Sequence, residues 1–118
     1  VERKTLDDLA ASCTHSRRDT FEHELLRLRG HRFRRLLVIG SEEAVLAQRY
    51  RSNMLPKALL GSIYAFEMRY DLPIVWAADP DSAAQLIERW AQRFVTEVSK
   101  VSFNVNSVKK SPSPNPVL

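Results

Sequence analysis

The chain has a single cysteine, Cys13, among its 118 residues. That excludes an internal disulfide and fits a reducing compartment without requiring one. No stretch approaches the roughly 18–20 apolar residues of a membrane-spanning helix. No apolar segment follows Val1-Glu2-Arg3-Lys4 that would make a signal peptide. The three histidines, His15, His23 and His31, form no pair at helical spacing with a supporting carboxylate, which speaks against zinc. Cys13 has no histidine at a recognisable spacing and reads as an inert thiol. No internal repeat is present. What remains is 44% hydrophobic and 27% charged residues, enough apolar material for one core in a soluble domain of ordinary size. The start at Val rather than Met reads as part of something longer.

Charge is unevenly placed. Twelve Lys/Arg face eight Asp/Glu in residues 1–60, and six of each occupy residues 61–118, so the net charge of +4 lies in the first half. Its densest cluster is Arg27, Arg29, Arg32, Arg34 and Arg35, with His31 among them. Such a cluster is either a phosphate-facing surface or a solvated helix end running into an edge strand. From about Ser107 the composition turns polar and proline-rich. We read residues 100–118 as a tail without a core and residues 1–99 as the domain. Just before the proline-rich part, Val101, Phe103 and Val105 alternate with polar residues, a pattern that fits a short edge strand.

Between the ends, helical and strand patterns alternate. Thr5 and Asp8 fit a capping box opening a short helix through Ser12. Phe21, Leu25 and Leu28 share a helical face that Gly30 can end. Leu36–Ile39 is an apolar run closed by Gly40, read as a buried strand. A weaker helix covers Glu42 to about Tyr50. Pro56 opens a helix whose stripe is Leu59, Ile63, Phe66 and Tyr70. Ile74–Ala77 is a second buried run. Asp79-Pro80 starts a last helix with Ala83, Leu86, Ile87, Trp90, Ala91, Phe94 and Val98 on one face. This alternation predicts an α/β domain, a sheet covered by helices. Trp76 and Trp90 could stack on bases, but their places in a strand and a helical stripe favour core packing.

The constellation that could carry chemistry is Glu2-Arg3-Lys4 with Asp8. If Val1–Lys4 ends a strand, Glu2 and Lys4 point the same way. A carboxylate beside an ammonium suits metal-assisted phosphodiester hydrolysis. The carboxylate offers Mg²⁺ a hard oxygen, and the lysine orients water or neutralises charge on phosphate. A solvated charge run before a capped helix explains the same residues.

Beyond the triplet, Glu2-Arg3-Lys4-x3-Asp8 resembles half of the XPF-type nuclease motif, whose other half is a Gly-Asp on the preceding strand. The likeness extends through Val1–Ser12, Gly40, Arg49-Tyr50-Arg51-Ser52, Pro56–Ser62, Phe66–Pro73 and Asp81–Trp90, about residues 1–95. It looks closest to small bacterial proteins carrying this nuclease domain alone. The resemblance implies a restriction-endonuclease-like fold, a mixed sheet flanked by helices, here without its N-terminal strands. It implies an Mg²⁺- or Mn²⁺-dependent endonuclease acting on flapped or forked DNA in repair or recombination. A cytoplasmic, nucleoid-associated setting and a homodimer or partner protein go with it. Glu2 would be the metal ligand and Lys4 the orienting group. Arg3 would be a phosphate contact or a buried anchor. Asp8 would be a supporting carboxylate, though its capping role explains it equally well. Arg27, Arg29, Arg32, Arg34 and Arg35 would face DNA, while Lys57 and Arg69 receive no catalytic role.

Three departures stand out. The Gly-Asp half is absent. The segment Cys13–Thr20 is longer than the family's Asp-Gly-Arg turn. With only Gly30, Gly40 and Gly61 present, no helix-hairpin-helix module follows. The second reading is a non-catalytic DNA-binding or scaffolding module of the same fold, since the family has degenerate members that pair with active partners, although such members usually lose the Glu-Arg-Lys block that this chain keeps.

Overall fold

The computed structural model describes the backbone of residues 1–108 and the side chains of residues 1–101. Eight elements follow in order: β1 (Glu2–Thr5), α1 (Leu6–Ser12), α2 (His15–Leu28), β2 (Leu36–Ile39), α3 (Glu42–Leu46), α4 (Pro56–Arg69), β3 (Ile74–Ala77) and α5 (Pro80–Val108). The chain divides into two compact units, Val1–Ala83 and the part from Ala84 onward.

In the first unit the three strands form a parallel sheet in the order β1-β2-β3, with helices in every connection. This is the α/β architecture the alternating patterns predict. The register pairs Glu2 with Leu36 and Lys4 with Val38 across β1 and β2. Paired residues of parallel strands project to one face, so Glu2 and Lys4 stand on the side of Leu36 and Val38. Arg3 stands on the side of Leu37.

The core lies on that first face. Leu9 of α1, Leu25 of α2, Leu36 and Val38 of β2, and Leu59, Ile63 and Phe66 of α4 are fully buried in one cluster. Burying each stabilises the fold by about 1.5–3 kcal/mol. Phe21 meets Phe66 edge-on with ring centroids 5.6 Å apart. Leu37 is also fully buried yet lies outside that cluster, so both faces of central β2 are covered. The β3 run is less enclosed than its apolar sequence predicts. Ile74, Val75 and Trp76 are half-buried because β3 is an edge strand with one neighbour. Trp76 packs against the core cluster rather than standing free.

Helix ends follow from local chemistry. The Thr5 hydroxyl accepts the Asp8 N–H at 3.1 Å and starts α1. Ser41 starts α3 in the same way, accepting from Ala44. That helix stops four residues short of Tyr50, the end the sequence suggests. Gln48 turns left-handed at φ 53°, and the N–H groups of Gln48 and Arg49 bond back to Val45 and Ala44. This doubly bonded turn satisfies the last carbonyls and diverts the chain. Asp71 does the same after α4, at φ 49°, with Leu72 N–H on Glu67 C=O. Gly40 is required for a different reason. Its φ is +151°, and a Cβ there would sit 2.8 Å from Leu6 Cγ.

In the second unit α5 continues as one helix to Val108, carrying the pairs Arg93–Glu97 and Lys100–Glu97. This overturns the edge strand expected at Val101–Val105. The alternation there is a sample of a longer helical stripe, since Phe94, Val98, Val101 and Val105 recur at i, i+4, i+7 and i+11. Of residues 100–118, read from the sequence as a tail, 100–108 belong to α5 and 109–118 lie outside the described residues. Among the described residues, no helix is long and apolar enough to cross a membrane.

Candidate active site

β1 is an edge strand whose first face carries a carboxylate and an ammonium instead of apolar groups. Lys4 Nζ lies 3.8 Å from Glu2 Oε1, with 20% of the Lys4 side chain and 31% of the Glu2 side chain exposed. The Lys4 ammonium also stands 5.1 Å above the ring of Phe21 on α2. An aromatic face holds a cation without neutralising it. Backbone pairing fixes Glu2: its main-chain N–H donates to Arg35 C=O at 3.0 Å, just before β2.

The structure brings Glu2 and Lys4 together and separates the other expected residues from them. Arg3 is exposed on the opposite face of the strand, so the buried-anchor alternative does not apply. Asp8 is exposed in the first turn of α1, and its bond to Thr5 runs through its backbone N–H. Asp7, which sequence reasoning passed over, accepts the Arg51 backbone N–H at 2.7 Å and ties the segment after α3 to α1.

The arginine cluster also splits. Arg27, Arg29 and Arg32 are exposed at the end of α2 and in the following turn, with no ion pair among the described residues. Arg34 is committed internally. Its guanidinium donates to Asp71 Oδ2 at 2.6 Å, to Asp71 C=O at 2.9 Å and to His31 C=O at 3.1 Å. It thereby clips the left-handed turn after α4 to the entry of β2. Arg35 stacks on Phe33 at 4.3 Å and donates to Arg34 C=O. Burial, with Arg34 beside it, draws the Arg35 guanidinium below its ordinary pKa.

A family model described as the ERCC4 domain matches residues 1–89, three quarters of the chain. The chain belongs to the ERCC4 domain family. It is a family of nucleases that act on branched DNA in repair. No curated protein and no solved structure matches the chain.

In this ERCC4 domain the match takes in β1, the whole helix-covered sheet and the start of α5. The residues present fit a divalent ion only in part. Glu2 offers the hard oxygen such an ion prefers. However, no three His, Cys, Asp or Glu residues converge among the described residues, and the 118 residues contain no Gly-Asp.

Sequence reasoning also missed the polar hub behind the site. The Glu22 carboxylate on α2 accepts from Arg18 Nε at 3.0 Å, Arg69 at 2.5 Å and the Tyr70 hydroxyl at 2.6 Å. The Tyr70 bond above all, with Arg69 and Arg18, holds Glu22 below the usual carboxylate pKa against the effect of burial. Arg18 reaches on to Ser62 Oγ at 2.9 Å and lies over the Phe66 ring. The i,i+4 spacing of Arg18 and Glu22 was the available sequence signal. Beside the hub, burial pushes the Cys13 thiol up to about 11, which leaves it protonated and unreactive.

Proposed function

We propose that this ERCC4 domain is a divalent-metal-dependent DNA endonuclease, cutting phosphodiester bonds at flapped or forked DNA in repair or recombination. The observation that carries the reading is the Glu2–Lys4 pair on the core-side face of β1, within the family-matched region. Glu2 serves as one oxygen ligand. Mg²⁺ or Mn²⁺, when bound, supplies charge neutralisation at the phosphate. Lys4, steadied by Phe21, contacts the phosphate oxygens or holds the attacking water. Arg3, projecting from the other side of β1, is a peripheral phosphate contact, and Asp8 is a supporting carboxylate in the first turn of α1, where its backbone N–H meets the Thr5 cap. Arg27, Arg29 and Arg32 offer exposed cations for the DNA backbone, while Arg34 and Arg35 shape the turn that presents them.

The second reading is a non-catalytic DNA-binding or scaffolding module of the same fold, and the retained Glu2-Arg3-Lys4 block argues against it. One experiment separates the two. The full natural polypeptide is incubated with flapped DNA and with plain duplex, with Mg²⁺, Mn²⁺ or a chelator. The endonuclease reading expects metal-dependent cutting of the flap that Glu2→Ala removes. Binding to the flap without cutting under any metal supports the scaffolding module instead.

A further inference from the structure

A shallow pocket of about 220 Å³ opens beside Lys4. Ser12 at the end of α1 lines it together with Ser16, Arg17, Thr20 and Glu24 of α2. Phe21, which carries the Lys4 ammonium over its ring, completes the lining. The α2 contribution follows from helical spacing, because Arg17, Thr20, Phe21 and Glu24 recur at i, i+3, i+4 and i+7. Segment Cys13–Thr20, read from the sequence as an elongated turn, is thus largely the first turn and a half of a helix.

Two adjacent arginines divide their tasks here. Arg18 is spent on Glu22, Ser62 and the Phe66 ring. Arg17 is exposed, has no ion pair among the described residues, and lines the pocket. A guanidinium, an ammonium and three hydroxyls around one small hollow are donors suited to an oxyanion. The volume lies below the roughly 300–1,000 Å³ of ordinary small-molecule pockets, so a phosphate with part of its sugar fits better than a whole nucleotide. Charge narrows the choice further. Lys4, Arg17 and Glu24 together give the lining one net positive charge. That balances the single negative charge of an internal phosphodiester. A terminal phosphate monoester carries about −1.5 to −2 at neutral pH and would leave excess negative charge facing Glu24.

We propose that this pocket seats one internal backbone phosphate of the DNA strand beside Glu2, with Lys4 shared between the pocket and the β1 site, and selects against terminal phosphates. The proposal rests on the nuclease reading above for its strand, and on the pocket for its chemistry.

The test is an NMR titration of the full chain with thymidylyl-thymidine, which has one internal phosphodiester and no terminal phosphate. Thymidine monophosphate and inorganic phosphate are titrated in parallel. The dinucleotide is expected to move the amide signals of Ser16, Arg17 and Thr20 and to bind more tightly than either monoester or free phosphate. Arg17→Ala should weaken it about tenfold, the worth of one charge-assisted hydrogen bond. Glu24→Gln should narrow the preference by admitting the monoester. Shifts that cluster elsewhere, or dinucleotide binding unchanged in a natively folded Arg17→Ala chain, overturn the proposal.

A second arm measures flapped-DNA affinity against salt. Loss of one phosphate contact should make the log–log slope of Arg17→Ala shallower by about 0.7–0.9. Steep salt dependence in the wild type with the same slope in Arg17→Ala overturns the pocket alone. Failure of the wild-type chain to bind flapped DNA overturns the nuclease reading.

Discussion

Glu22→Gln is the substitution whose effect the structure fixes most closely. It preserves size and shape but removes the charge on which three donors converge from α2 and from the end of α4. Arg69 contributes little to the expected loss, because 53% of its side chain is in water and its attraction is screened. Arg18 and Tyr70 contribute more, since Arg18 is two-thirds covered and Tyr70 is buried. A hydrogen bond to a charged group contributes about 1.5–3 kcal/mol, and the glutamine amide would set a donor against Arg18. The expected destabilisation is about 2–3 kcal/mol, or a fall of about 10 °C in Tm. Urea unfolding followed by tryptophan fluorescence reads it directly, because Trp76 packs on the core.

The pH dependence has a fixed sign. Glu22 is held below its ordinary 4.5, so its contribution is complete above that value. It is lost as pH falls below 4.5 and through the lower folded value. Glu22→Gln should therefore flatten the acid limb of stability against pH. A loss under about 0.5 kcal/mol, the scatter expected of an ordinary surface substitution, would refute the hub.

Other outcomes follow from single contacts. Gly40→Ala should cost about 1–3 kcal/mol by urea unfolding, because the new Cβ meets Leu6 Cγ at 2.8 Å on a left-handed backbone. Leu9→Ala should cost about 2–5 kcal/mol in the same assay, since Leu9 is fully buried among α1, α2 and β2 residues. Cys13, buried with its pKa raised to about 11, should resist alkylation at neutral pH until the chain unfolds. Rapid labelling of the native chain would contradict that.

What the sequence makes legible here is what local physics controls. Thr5 caps α1, the Leu36–Ile39 run forms a strand, and Leu59, Ile63 and Phe66 bury one stripe of α4 with Tyr70 buried at its C-cap, because these depend on near neighbours. The pairing of Glu2 with Lys4 was legible too, through strand alternation alone. Contacts between distant segments were not. Arg34 looks like its neighbours in the basic run until Asp71, 37 residues away, captures it. Arg17 and Arg18 are indistinguishable as text, yet helix phase turns one to the pocket and the other to Glu22. At the far end, the period-two pattern in Val101–Val105 belongs to a helix, because so short a window does not separate a strand from a helical stripe.

Single-turnover cleavage of flapped DNA by the full natural polypeptide, wild type against Lys4→Met, tests the central claim most directly. Removing a positioned charge from the reacting phosphate should slow cutting by about a hundredfold or more while DNA binding weakens only modestly. Cutting within about twofold of wild type by a Lys4→Met protein that still binds the flap would contradict the assignment of β1 as the working face.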